Sequence, residues 1–170
     1  MKMMADKKEI IIITGSRGAG KTAYCRNEIQ KARENSLIVR GVLSPAMFLN
    51  HKKIAFYAQN LKNDEKRLVG SLASYANLGK QFHDWTLDPD VIRWVNEFLS
   101  EKEPCDLLVI DELGPLEFSD HEGYFAAFDC LKNQIYRKAL VVIRPECIDA
   151  FRSFGFPFSI VEIEKADVAS

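Results

Sequence analysis

The sequence predicts an α/β fold with a central, mostly parallel sheet flanked by helices and a small antiparallel extension. Three observations carry that expectation. Unbroken apolar runs at Ile10-Ile11-Ile12-Ile13, Leu107-Leu108-Val109-Ile110 and Leu140-Val141-Val142-Ile143 read as strands buried on both faces, as in a parallel sheet. Segments of helical periodicity alternate with them. Between residues 44 and 87 the chain instead holds short strand-like runs too close together for crossover helices, which suits hairpins.

Taken in order, Glu9 to Thr14 reads as the first strand and Lys21 to Arg33 as the first helix, with Cys25, Ile29 and Ala32 spaced by four and three. Asn35-Ser36 stops that helix, and Leu37 to Leu43 is a second strand ending at Ser44-Pro45. Ile54 to Gln59, Lys66 to Gly70 and Gln81 to Leu87 make the antiparallel extension. Asp88 is placed to cap a helix with Pro89 in its first turn, and Val91, Trp94, Val95, Phe98 and Leu99 follow at helical spacing. That spacing assigns Trp94 to the core. A strand over Leu107 to Ile110 follows, then a helix over His121 to Arg137 with Tyr124, Phe128, Leu131 and Ile135 on one face. Leu140 to Ile143 is a strand, Ile148 to Phe154 a short helix and Phe158 to Ile163 a last strand.

Composition bounds the function. At 170 residues the chain suits one domain, expected over 1–170. A net charge of -1 supplies no global field for nucleic acid or an anionic membrane. No apolar run reaches the roughly 18 residues of a membrane helix, and Met1 to Lys8 is charged, unlike a signal peptide. Cys25, Cys105, Cys130 and Cys147 form no C-x-x-C pair and no metal-ligand spacing with His51, His83 or His121. They read as buried free thiols, which fits a cytoplasmic protein.

The chemistry begins at Gly15-Ser16-Arg17-Gly18-Ala19-Gly20-Lys21-Thr22, a G-x-x-x-x-G-K-S/T pattern between a strand and a helix. Glycines let the backbone curl and turn successive N–H groups inward, and the helix N-terminus adds its positive end. This is a nucleotide phosphate cradle. Lys21 would reach the β- and γ-phosphates, and the Thr22 hydroxyl would ligate Mg²⁺.

A second site follows the strand Leu107 to Ile110. Asp111 at its carboxyl end has the Walker B placement and would hold Mg²⁺ through water. Glu112 beside it is the type of carboxylate that orients an attacking water in P-loop enzymes of the additional-strand (RecA/AAA-like) class. In that class the strand ending at Arg144 lies between the other two, which would bring Arg144 near the γ-phosphate as a charge stabiliser. A surface ion pair is the plainer reading of Arg144. In the extension, Lys52, Lys53, Lys66 and Arg67 are either phosphate contacts on a flap or solvated charges on a sheet, and the second reading is favoured.

The stretch Ile110-Asp111-Glu112-Leu113-Gly114-Pro115-Leu116-Glu117 resembles D-E-I/L-G-x-M/L-E of the small nucleoside-triphosphatases first known from thermophiles, often labelled cancer-related NTPase. Gly41-Val42-Leu43-Ser44 resembles their G-F-Y-T, Lys52-Lys53-Ile54-Ala55-Phe56 their R-R-x-G-F, and Gly79-Lys80-Gln81-Phe82 their V-G-x-Y. The resemblance spans nearly the whole chain. It implies slow, Mg²⁺-dependent hydrolysis of ATP, GTP and other nucleoside triphosphates. By position it implies phosphate and metal contacts at Gly15, Gly18, Gly20, Lys21 and Thr22, an acidic pair at Asp111 and Glu112, and a loop-shaping role for Glu117. Pro45-Ala46 stand where the family carries glutamate, Leu43 where it often has Tyr, and Ala55 where it usually has Gly. A P-loop kinase and a nucleotide-driven switch are the alternatives; neither an arginine-rich lid nor a partner motif stands out for them.

Overall fold

The computed structural model describes residues 7–75 and 80–166. Residues 1–6, which carry most of the N-terminal reading, and Gly79 lie outside the described residues. The elements run β1 (Glu9–Thr14), α1 (Lys21–Glu34), β2 (Val39–Leu43), β3 (Ala46–Leu49), β4 (Lys52–Asn60), β5 (Lys66–Leu72), β6 (Lys80–Phe82), β7 (Trp85–Leu87), α2 (Pro89–Leu99), β8 (Cys105–Leu113), α3 (Pro115–Phe118), α4 (Ala126–Asn133), β9 (Tyr136–Ile143), α5 (Ile148–Arg152) and β10 (Ser159–Glu162).

The described strands form a single sheet in the order β10-β1-β9-β8-β2-β4-β5-β7-β6, with β3 on β4. From β10 to β2 every pairing is parallel. From β2 onward every pairing is antiparallel. The mixed α/β sheet and its extension therefore stand as read from the sequence, and β9 lies between β1 and β8.

The apolar runs are explained by cover on both faces. Ile13, Leu107, Val109, Leu140 and Val142 pack with Cys25, Ile29 and Ala32 of α1. Ile10, Ile12, Leu108, Ile110, Ala139 and Val141 face the opposite way, onto Val91 and Val95 of α2, Ala127 and Leu131 of α4 and Phe151 of α5. Alternate residues of one strand thus serve two cores, so no position is left for a polar side chain. Gly41 fixes the spacing of β2 against β8: with φ at 109°, a Cβ there would sit 1.9 Å from the Val109 carbonyl oxygen. Trp94 is partly buried against the core, as its spacing implies. The Asp88 carboxylate accepts from the Asp90 and Val91 N–H groups, capping α2. All four cysteines are free and buried; burial pushes Cys105 up to about 11 and Cys130 up to about 12, so they stay as thiols.

Two readings need correction. The helix expected over His121 to Arg137 is α4 alone, Ala126–Asn133. His121 and Gly123 take positive φ (53° and 66°), and Gln134 turns extended to donate to the Glu103 carbonyl at 2.7 Å. The residues after it join the sheet, Tyr136 pairing with Cys105, so Ile135 is exposed rather than part of a helical face. Cross-strand pairing overrides a helical spacing there. The run Gln81 to Leu87 is two strands joined at His83-Asp84. The second strand does end before Ser44-Pro45, as read, with β2 closing at Leu43; β3, which no sequence pattern announced, follows at once, and the Pro45 carbonyl accepts from Tyr57 N–H at 2.9 Å.

Candidate active site

The carboxyl ends of β1, β8, β9 and β2 converge where the glycine loop, Asp111-Glu112, Arg144 and Ser44 meet. Gly15 leaves β1 with φ at 148°, and a Cβ would meet the Ile163 carbonyl oxygen at 2.4 Å. The loop closes with Ala19 N–H donating to the Ser16 carbonyl at 3.1 Å. Gly20 caps α1 in the left-handed region, φ 104°. Lys21 is buried and folds back over the loop, its ammonium donating to the Gly15 and Ser16 carbonyls at 2.8 and 2.9 Å. The first N–H groups of α1 have no partner within the helix, so the loop and helix end form a concave donor surface suited to an anion.

The Thr22 hydroxyl donates to Asp111 Oδ2 at 3.0 Å, joining the first turn of α1 to the end of β8. Ser44 N–H donates to the same oxygen at 3.0 Å, and the Ser44 hydroxyl donates to the Asp111 carbonyl. Asp111 is only 1% exposed. Burial pushes its carboxyl up to about 6, opposed by the Ser44 N–H and the Thr22 hydroxyl and aided by the Glu112 charge. A buried carboxylate beside a hydroxyl, both hard oxygen donors, fits Mg²⁺, which takes one or two protein oxygens and fills the rest with water and phosphate.

The Asp111–Glu112 peptide is cis, and the β8–β9 register shifts between Ile110 and Leu113. Arg144, at the end of β9, donates from Nε to Glu112 Oε1 at 2.7 Å, with both side chains about one third exposed. Behind this pair Glu117 is buried. Its Oε2 accepts from Gly114 N–H and its Oε1 from Tyr124 N–H, each at 2.9 Å. It ties down the loop after β8, in keeping with the loop-shaping role implied for it.

The structure thus brings Lys21, Thr22, Asp111, Glu112 and Arg144 to one end of the sheet. Ser16, Arg17, Gly18 and Ala19 line the loop. Sequence reasoning gave Ser44 no role. Its place follows from the β2–β8 register, with Val42 opposite Ile110, which sets Ser44 beside Asp111.

Comparison with known proteins gives the chain a family and its fold two solved relatives. Residues 10–147 match the family model described as NTPase. The Thermococcus kodakarensis nucleoside-triphosphatase THEP1 is 29% identical over 148 residues, covering 85% of this chain and 81% of that protein. THEP1 of Pyrococcus abyssi is 25% identical over 148 residues, covering 84% and 78%. Two solved structures share the fold. THEP1 from Aquifex aeolicus matches with a TM-score of 0.63 at 15% identity, over 93% of this chain and 90% of that one. A human cancer-related nucleoside triphosphatase matches with a TM-score of 0.68 at 16% identity, over 94% and 90%. The class is that of nucleoside-triphosphate phosphohydrolases. The chain belongs to the NTPase family.

Proposed function

We propose that this NTPase is an Mg²⁺-dependent P-loop enzyme of the additional-strand class that hydrolyses ATP, GTP and other nucleoside triphosphates to diphosphate and phosphate, slowly and with broad base range. The observation that carries this reading is the Thr22–Asp111 hydrogen bond of 3.0 Å. It sets a phosphate loop and a buried strand-end carboxylate against one another, with Glu112 next in the chain. The strand order, with β9 between β1 and β8, supports the class.

In this reading the loop amides and the Lys21 ammonium bind the β- and γ-phosphates, Lys21 exchanging its carbonyl partners for phosphate oxygens. Thr22 and Asp111 would hold the Mg²⁺, which when bound offsets charge on the phosphate oxygens. Glu112 orients a water for in-line attack and accepts its proton. The bond from the γ-phosphorus to the bridging oxygen breaks, and the leaving diphosphate carries the electron pair. Arg144 stabilises charge developing on the γ-phosphoryl oxygens. No helix among the described residues is long and apolar enough to cross a membrane, and the free thiols suit the reducing cytoplasm.

Steady-state phosphate release from ATP, GTP, CTP and UTP, each with Mg²⁺ and with chelator, tests the reading. Mg²⁺-dependent turnover of all four is expected. Label transferred from ATP to an added acceptor, without free phosphate, would overturn it in favour of a kinase.

A further inference from the structure

The four cations of the antiparallel extension are not equivalent. Arg67 pairs with Glu65 at 2.7 Å, and its guanidinium lies 4.2 Å from the centre of the Trp94 ring. Lys66 stands at the far end of the β4–β5 ladder, paired in register with Gln59. Lys52 is at the tip of the β3–β4 hairpin, opposite Leu49.

Lys53 differs from these three. Its ammonium sits 4.8 Å from the centre of the Phe56 ring and 5.7 Å from that of Trp85. The two rings meet edge-on at 5.4 Å. No carboxylate of the described residues lies within ion-pair distance of it. Desolvation lowers its pKa; the charges of Glu112 and Asp111 oppose that, while Arg144 and Arg17 add to it. Those four groups come from the phosphate loop and from the ends of β8 and β9, which are the walls of the site.

Sheet register places the start of β4 on the same side of the sheet as these groups. β4 runs antiparallel to β2, with Leu43 opposite Gln59. The amino-terminal half of β4 therefore projects beyond the carboxyl ends of the parallel strands, with β3 as its partner. Irregularities in the ladders at Met47/Phe48 and Phe56/Tyr57 are the kind of bulge that bends and twists a strand pair. Cation–π contact holds the ammonium in place without neutralising it, so its charge remains available to an anion.

We propose that Lys53 contacts the γ-phosphate of a bound triphosphate from the hairpin side, as a third cation beside Lys21 and Arg144, and makes the site prefer triphosphate over diphosphate. This rests on the phosphohydrolase reading of the same site and adds a residue that selects among its ligands.

The test compares binding of Mg²⁺·ATP and Mg²⁺·ADP by calorimetry in a Glu112→Gln background, where turnover does not intrude. Variants are Lys53→Ala, Lys53→Gln, which keeps an apolar stem over the rings, and Lys53→Arg, with Lys52→Ala as control. Lys53→Ala and Lys53→Gln should weaken ATP binding by roughly tenfold to a hundredfold, the loss of one charge-assisted contact. ADP binding should stay within about twofold, while Lys53→Arg restores most of the preference and Lys52→Ala leaves it unchanged. Equal weakening of ATP and ADP, no change in either, or a parent without preference for ATP overturns the proposal. Failure of the hydrolysis reading shows separately, as a parent that prefers ATP and binds it through Lys53 yet releases no phosphate.

Discussion

Arg144 holds Glu112: its Nε donates to Glu112 Oε1 at 2.7 Å across neighbouring parallel strands. The carboxylate proposed to orient water and the cation proposed to receive charge are therefore partners in one ion pair. Arg144→Ala should lower kcat by roughly 10²-fold, the size typical of losing one preorganised charge-stabilising group, and leave ADP affinity nearly unchanged. Arg144→Lys, which lacks the planar fork, should recover only part of the rate. Steady-state kinetics with ADP titrations check both.

Asp111 links metal binding to stability. Its folded pKa of about 6 lies above the ordinary 3.8, so the folded state holds the proton more tightly than the unfolded one. In chelator, stability should fall as pH rises from about 4 to about 6 and level off above that. Asp111→Asn should remove the slope and raise stability at pH 7 by roughly 1–3 kcal/mol. One Asn oxygen can accept both bonds that now reach Oδ2, from Thr22 and Ser44. The same variant should lose Mg²⁺-dependent turnover. Thermal melts across pH, with and without Mg²⁺·ATP, report both effects.

Glu117 tests the loop behind the acidic pair. Glu117→Ala strands the Gly114 and Tyr124 N–H groups in a buried setting, at about 2–4 kcal/mol for the two. Glu117→Gln keeps an acceptor for one of them and should cost less. Denaturant titrations of the two variants give the order directly.

Gly41 tests the spacing of β2 and β8. An alanine Cβ would lie 1.9 Å from the Val109 carbonyl oxygen, a backbone clash that no rotamer relieves. Gly41→Ala should cost more than about 3 kcal/mol and displace Ser44 from Asp111. Loss of soluble, cooperatively melting protein is the expected readout; a melt within a degree or two of the parent would contradict the close approach.

Much of this was legible in the sequence because parallel strands covered on both faces write themselves as unbroken apolar runs, and the glycine loop and Asp111-Glu112 are contiguous motifs. What escaped depends on pairing between distant segments. The first half of β9 was hidden because Leu131 and Ile135 keep a helical spacing while Tyr136 answers to Cys105. β3 was hidden because all four of its residues are exposed, which leaves no burial alternation to read. Ser44 owes its place to the register of β2 against β8, which no local pattern encodes, and the register of β4 against β2 is what the two sequence readings of Lys53, flap contact or solvated charge, lacked. The family resemblance did align both segments, without giving either residue a role.

The central claim is that Glu112 activates water in a site that binds nucleotide independently of it. The direct measurement is single-turnover hydrolysis of Mg²⁺·ATP by the parent and by Glu112→Gln, with affinity measured in parallel. The account predicts affinity within about threefold and a rate lowered by roughly 10²–10⁴. Hydrolysis at the parent rate by Glu112→Gln would contradict it.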